Sequence, residues 1–274
     1  KFEANQVLEL LESERATLFM AVPTMLKMMA EASQFHQVSL ECMRYFIVGG
    51  EAMPIPLIEK WATKEIPIRQ GFGMTEVGPN LTSLDEADAI RKKGSIGIPN
   101  FYVETKLVNE VGEEVGVNEI GELLVKGPMV TPGYWQNEEA TTKAFQDGWF
   151  RTGDLLRRDE EGYLFVMDRL KNMFISGGEN VYPAELEHFF RTHEAIVDVA
   201  IIGVAHPKWG EVGAAFIVTN DHDLNEAVLK QFCEGKLARY KIPKHYVFLP
   251  ELPKNPTGKI DKRALQKLTE SILI

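Results

Sequence analysis

Hydrophobic positions recur at helical spacing over residues 5–14, where Val7, Leu8, Leu10 and Leu11 fall together, and a helix is expected there. The apolar run 17–22, stopped by Pro23, reads as a buried strand. Met25, Leu26, Met28 and Met29 then return to a helical face, which is core filler or, less simply, lining for an apolar ligand. A buried strand at 45–48, a helix carrying Ile55, Leu57, Ile58 and Trp61, and a strand at 66–69 follow. Strand and helix alternating in this way predict a parallel α/β sheet. From about Gly94 the spacing changes. Short runs at 104–108, 122–126, 155–158 and 163–168, split by turns at 109–112 and 159–162, predict a small barrel or sandwich.

A third pattern begins at Pro183, which opens a helix through Leu186, Phe189 and Phe190. Apolar strands at 197–204 and 214–219 come next. Asp223 with Glu226 then marks a helix start, Leu229, Phe232 and Leu237 give that helix its buried face, 246–249 is a last strand and 262–268 a short helix. The stretch 168–183 reads as a charged turn, a short apolar strand, a glycine pair and the Pro183 helix. Charge and glycine clustered between two self-contained patterns mark a domain boundary and hinge. The expected fold is therefore α/β plus β-barrel over 1–168, with the α/β part ending near 94, followed by a small α+β domain over 169–274.

Composition adds limits. With 45% apolar and 26% charged residues in 274, the chain can build a sizeable soluble core. It has no run of eighteen apolar residues and no secretory signal, so no transmembrane segment is expected. Cys42 and Cys233 stand apart and read as reduced thiols in a cytoplasmic setting. The chain opens on Lys1 without Met, so the start of the gene product is expected upstream. Net charge is −10, divided into +6 from Lys230 onward and −16 before it. A basic end on an acidic protein suggests a polyanionic ligand. Nucleic acid is the plain reading, but base-stacking and recognition-helix signatures are missing, and small phosphate-rich ligands fit better.

Ligands of parallel sheets bind beyond the carboxyl ends of the strands. Two glycine segments fall there: Gly49-Gly50-Glu51-Ala52 and Gln70-Gly71-Phe72-Gly73-Met74-Thr75-Glu76. Either alone is first of all a tight turn. Together they place a hydroxyl on Thr75 to donate to a phosphate, a carboxylate on Glu76 to hold Mg²⁺, and a flat face on Phe72 for a base. Asp154, after Gly153, is suited to accept both hydroxyls of a ribose, or is a simple Asp turn. Lys259 sits among Gly and Pro outside any helix, better placed to reach a ligand than to form a surface ion pair.

Five segments, Gly71-Phe72-Gly73-Met74-Thr75-Glu76, Phe150-Arg151-Thr152-Gly153-Asp154, Asp168-Arg169-Leu170-Lys171, Ser176-Gly177-Gly178-Glu179-Asn180 and Pro253-Lys254-Asn255-Pro256-Thr257-Gly258-Lys259, resemble in order and spacing the adenylate-forming acyl-CoA synthetases. The resemblance implies ATP, Mg²⁺ and coenzyme A as co-substrates and cofactor for activating a carboxylic acid. The acid and Mg·ATP give an acyl-adenylate and pyrophosphate, and the CoA thiol then displaces AMP. It implies catalytic roles for Lys259, bridging carboxylate and phosphate, for Thr75 at the α-phosphate and for Glu76 at the metal. It implies nucleotide contacts from Gly50, Glu51, Ala52, Gln70, Gly71, Phe72, Gly73, Met74, Asp154 and Arg169. Phe72 stands where the family more often has Tyr.

Lys171 matches the hinge about which a small domain swings. Ser176, Gly177, Gly178 and Glu179 would line the pantetheine path, with Trp209, Tyr240 and Lys244 at the CoA nucleotide. Trp209 reads equally as core packing, and Ile242 stands where some relatives carry a base. The family's Ser/Thr/Gly loop ending in Lys has no counterpart here, so this chain by itself is expected not to adenylate. A medium- or long-chain fatty acid is the expected substrate. An aryl acid, a peptide-synthetase adenylation domain and a non-catalytic nucleotide- or partner-binding fragment are the alternatives, and a homodimer is carried as the assembly.

Overall fold

The computed structural model describes residues 2–255 and 259–272; Pro256, Thr257 and Gly258 of the lysine segment lie outside the described residues. The chain divides into two compact units, 1–166 and 167–274.

In the first unit α1 (Ala4–Ser13), β1 (Leu18–Ala21), α2 (Pro23–Glu31), β2 (Tyr45–Val48), α3 (Ile55–Ala62), β3 (Ile68–Met74), β4 (Gly78–Ser83) and β5 (Ile98–Pro99) form one layer pair. The sheet runs β1-β2-β3-β4-β5, its first three strands parallel and the rest antiparallel. Leu8, Leu26, Met29, Phe35, Phe46, Ile58 and Trp61 close a core between helices and sheet. Two rings meet the Trp61 indole edge-on, Phe35 at 5.0 Å and Phe46 at 4.7 Å, a geometry favoured by aromatic quadrupoles. Leu26 and Met29 are therefore core filler. The expected burial of 17–22 holds for one face only: β1 is an edge strand, and Leu18, Met20 and Val22 alternate onto its exposed face.

Sequence also underestimated β3. It continues through the glycine segment to Met74 because β4, antiparallel to it, pairs Gly71 with Ser83 and Phe72 with Thr82. A Cβ on Gly73 would lie 2.4 Å from the Pro79 carbonyl, so only glycine permits this approach.

The second sheet holds β6 (Glu104–Val108), β7 (Ile120–Lys126), β8 (Phe145–Gln146), β9 (Trp149–Arg158) and β10 (Leu164–Arg169), in the order β10-β9-β7-β6 with β8 beside β9. Leu107, Leu123, Val125, Phe150, Leu156 and Leu164 fill its concave side. Between β7 and β8 lies α4 (Glu138–Ala144), capped by the Asn137 side chain and not anticipated from spacing.

The second unit contains β11 (Phe174–Ser176), β12 (Glu179–Val181), α5 (Pro183–Phe190), β13 (Ile196–His206), β14 (Gly210–Thr219), α6 (Glu226–Cys233), β15 (His245–Phe248) and α7 (Lys262–Ile272). Its sheet runs β12-β11-β14-β13, with β15 parallel to β14. Period-two alternation along β13 buries both faces. Val199 and Ile201 pack with Leu186, Phe190 and Leu229, whereas Ala200 and Ile202 pack with Leu252 and Leu265. The α6 cap is Asn225, accepting from the Ala227 and Val228 amides, rather than the Asp223 the sequence suggested.

Candidate functional site

In the first unit, Gly49 and Gly50 follow β2 beside β3, where Val48 pairs with Gln70. Gly50 has φ +88°, a conformation only glycine adopts without strain. Gln70 is buried, and its amide is spent on backbone: Oε1 accepts from Met53 N at 2.9 Å, and Nε2 donates to Ser95 O at 3.2 Å. It thus ties the segment after β2 to β3, while Glu51 and Ala52 lie exposed beyond the tie. At the end of β3, Phe72 and Met74 are half-buried against the concave core of the second sheet. Thr75 is exposed, and Glu76 is half-buried beneath the loop after β7.

Two residues of that loop, absent from the sequence reading, engage Glu76. Thr131 N–H donates to the Glu76 carbonyl at 2.7 Å, and Tyr134 Oη donates to Glu76 Oε1 at 3.1 Å. Burial and the carboxylate beside it both raise the Tyr134 phenol above its ordinary pKa, which keeps it a neutral donor. The available signal was Pro132-Gly133-Tyr134-Trp135, an aromatic pair after a turn, with Trp135 89% exposed.

Asp154 is not in a turn. It is buried within β9, at a place where the ladder with β7 shifts register and Gly153 takes φ +70°. Buried Glu122 holds this bulge: it pairs with Arg151 and accepts the Gly153 N–H at 3.1 Å. Thr152 Oγ1 donates to Leu123 O at 2.8 Å and accepts the Asp154 N–H at 3.1 Å.

In the second unit, Arg169 ends β10 and Lys171 lies on the short 3₁₀ turn Leu170–Asn172, both exposed. Buried Asp168 fixes that turn. Its Oδ1 accepts from Arg169 N at 2.6 Å and Asn172 Nδ2 at 3.1 Å, and its Oδ2 from Ala184 N at 2.7 Å in the first turn of α5. Ser176 and Glu179 are opposed in the β11–β12 hairpin, and Gly177 and Gly178 make its two-residue turn with φ +62° and +91°. Positive φ at both central positions is the hairpin turn that matches strand twist.

Gly177 N donates to Trp209 O at 2.9 Å, and a Cβ there would meet the indole at 3.1 Å. Trp209 is 42% exposed with Lys208 Nζ 4.7 Å over its ring, which removes the core-packing alternative. Tyr240 is half-buried against the α5–α6 core. Lys244 is exposed on a backbone anchored by its N–H to Gly213 O at 2.8 Å. Lys259 is exposed, and its backbone is held at both ends by Asn255: its N–H donates to Asn255 Oδ1 at 3.0 Å, and its carbonyl accepts the Asn255 N–H at 2.8 Å.

Among the described residues no group of three or more His, Cys, Asp or Glu is arranged to hold a metal, and no helix is long and apolar enough to cross a membrane. The single carboxylate of Glu76 still suits Mg²⁺, which keeps waters and phosphate oxygens in its shell and needs only one or two carboxylates.

Two family models match. That of the AMP-binding enzymes covers residues 1–135, and that of the AMP-binding enzyme C-terminal domain covers 185–259. The chain is 40% identical over 267 residues to the long-chain-fatty-acid–CoA ligase FadD13 of Mycobacterium tuberculosis, covering 97% of this chain and 53% of the relative. It is 40% identical over 274 residues to the 2-succinylbenzoate–CoA ligase of Bacillus mycoides, covering 99% and 56% respectively. The structure of O-succinylbenzoate coenzyme A synthetase (MenE) from Bacillus subtilis, in complex with ATP and magnesium ion, superposes with TM-score 0.87 at 34% identity, over 97% of this chain and 55% of that one. The chain thus spans about half the length of the curated relatives it matches.

Proposed function

We propose that this chain, which belongs to the AMP-binding enzyme family, provides the metal, ribose and thiol-transfer groups of an AMP-forming acid–thiol ligase. In the first half-reaction a carboxylate oxygen attacks the α-phosphorus of ATP, and pyrophosphate leaves. Charge accumulates on the phosphoryl oxygens, and catalysis is a matter of cations and donors aimed at them. Thr75 donates to the α-phosphate, Lys259 spans carboxylate and phosphate, and Glu76 would hold Mg²⁺, which neutralises phosphate charge when bound. Asp154 and Arg169 take the ribose hydroxyls. Phe72 stacks on the base against the backbone of Gly71, Gly73 and Met74, and Gly50, Glu51 and Ala52 form the adenine and acyl side. Gln70 serves by holding that segment in place.

In the second half-reaction the CoA sulfur attacks the acyl carbonyl, and AMP leaves. The Ser176–Glu179 turn suits a thin thiol-bearing arm because its two central residues carry no side chain. Trp209, Tyr240 and Lys244 are assigned to the CoA nucleotide. Exchange between the two steps turns on Lys171.

The observation that carries the reading is the end of β3, where exposed Thr75 and the hydrogen-bonded carboxylate of Glu76 follow a strand that only glycine allows to close on its neighbour. A medium- or long-chain fatty acid is the proposed substrate. An aryl acid is the second reading, supported by the 2-succinylbenzoate–CoA ligase relative at the same 40% identity as the fatty-acid ligase.

The test is ATP–pyrophosphate exchange across a panel of acids, with thioester formation measured separately from supplied acyl-adenylate. Lys259→Ala in an enzyme that carries this chain together with the phosphate-binding loop should abolish exchange and spare thioester formation. Loss of both to the same degree refutes the assignment. Robust thioester synthesis by the 274-residue chain alone would overturn the view that it lacks the phosphate grip.

A further inference from the structure

The loop after β7 is built to present one phenol to one carboxylate. Tyr134 N–H donates to Thr141 Oγ1 at 2.9 Å, and that hydroxyl donates to Asn137 O at 2.8 Å. Asn137 in turn caps α4 by accepting the Ala140 N–H at 3.0 Å. The preceding Gly133 packs so closely on Thr141 that a Cβ would lie 2.7 Å from its methyl group. The loop is fastened to the Glu76 backbone through Thr131, and Tyr134 Oη reaches Oε1 of the same residue. One oxygen of the carboxylate is thereby fixed by a neutral donor, and the rotation that would swing Oε2 away from a chosen direction is restrained.

We propose that Tyr134 is a positioning residue for the metal: its hydroxyl orients the Glu76 carboxylate so that the remaining oxygen is presented to a Mg²⁺ ion carried by nucleotide phosphates. This rests on the reading of Glu76 as the metal ligand. A partner that hydrogen-bonds a ligating carboxylate typically contributes about 10- to 100-fold in metal affinity. The chain Asn137–Thr141–Tyr134–Glu76 is a support of that kind, linking a helix cap to the ligand.

The experiment compares Mn²⁺ binding, as a paramagnetic stand-in for Mg²⁺, in an enzyme that carries this chain together with the phosphate-binding loop, as wild type, Tyr134→Phe and Glu76→Gln. Electron paramagnetic resonance or water-proton relaxation is recorded with and without ATP. Tyr134 is 39% exposed and Phe preserves its ring, so the fold is retained; near-ultraviolet circular dichroism checks this. The expected result is loss of the specific Mn²⁺ signal in Glu76→Gln and an affinity lowered by roughly 10- to 100-fold in Tyr134→Phe. Wild-type affinity in Tyr134→Phe, with the signal lost in Glu76→Gln, overturns the positioning role and leaves the metal assignment standing. A wild-type enzyme that binds Mn²⁺ with ATP no better than Glu76→Gln overturns the metal assignment and this proposal with it.

Discussion

Replacing Glu187 by Ala should loosen the second unit more than any exposed charge substitution in it. Glu187 lies on α5 with its side chain 11% exposed, and its Oε1 accepts from Ile201 N at 2.9 Å and Lys262 Nζ at 2.8 Å. Lys262, the first residue of α7, also donates to Ile201 O at 3.2 Å. Ile201 is fully buried on β13, the last strand in the sheet path, and its outward N–H and carbonyl have been given over to this charge pair. Alanine orphans a buried amide and leaves a partly buried ammonium uncompensated. Removing one partner of a buried pair costs about 3–5 kcal/mol, and because Lys262 is a quarter exposed the lower end, about 3 kcal/mol, applies.

Native-state hydrogen exchange reads this directly. About 3 kcal/mol corresponds to roughly 150-fold faster exchange of the most protected β13 amides. Lys262→Met should accelerate exchange less, because the carboxylate keeps its bond to Ile201 N. The double variant should be no worse than Glu187→Ala alone, since no unpaired charge remains. Acceleration below about fivefold in Glu187→Ala, or additive losses in the double variant, would refute the reasoning.

Two further predictions concern the same unit. Burial raises the pKa of both the Cys233 thiol and the Tyr246 phenol, and the Tyr246 hydroxyl has no nitrogen or oxygen partner among the described residues. The native state then holds protons that the unfolded state gives up near the ordinary values of 9.0 and 10.0, so stability is full below pH 9 and falls as pH rises above it. Denaturation of Tyr246→Phe with Cys233→Ala should flatten that alkaline slope, and an unchanged slope would show that other groups cause it. Lys171→Pro fixes φ near −65° and disfavours the helical turn at Leu170; in an enzyme that carries this chain together with the phosphate-binding loop it should slow thioester formation more than adenylation, and equal loss of both steps would argue against a pivot there.

Sequence carried the fold where information is local. The apolar strand expected at 197–204 and the helical spacing at Leu8, Leu11, Leu26 and Met29 depend on residues within a few positions, and both are realised. What was missed depends on partners far along the chain. The run Gly71–Met74 has the composition of a turn and becomes strand only because β4 returns antiparallel to it. Asp154, read as a ribose acceptor or else a turn aspartate, sits at a register shift against β7 that no local pattern reveals. Tyr134 and Glu76 are 58 residues apart, and Arg151 and Glu122 are 29 apart; no periodicity joins them.

The same distinction explains why the motif segments stood out in the sequence and the contacts that fix them did not. A motif is a short string because the backbone must present several groups to one ligand, so its chemistry is written in consecutive residues. Its rigidity is written elsewhere. Asp168 shows both at once. It heads the charged stretch read as a hinge, and its carboxylate bridges across Lys171 to Asn172 and on to Ala184. A change in the torsions of Lys171 must displace Asp168 from these partners, so the turn is locked within the second unit as well as placed at its edge. Any pivot there works against two hydrogen bonds to one carboxylate, each worth about 1.5–3 kcal/mol when the acceptor is charged. A pivot of the kind proposed at Lys171 would therefore rest in discrete positions rather than drift between them, as the proposed two-step reaction requires.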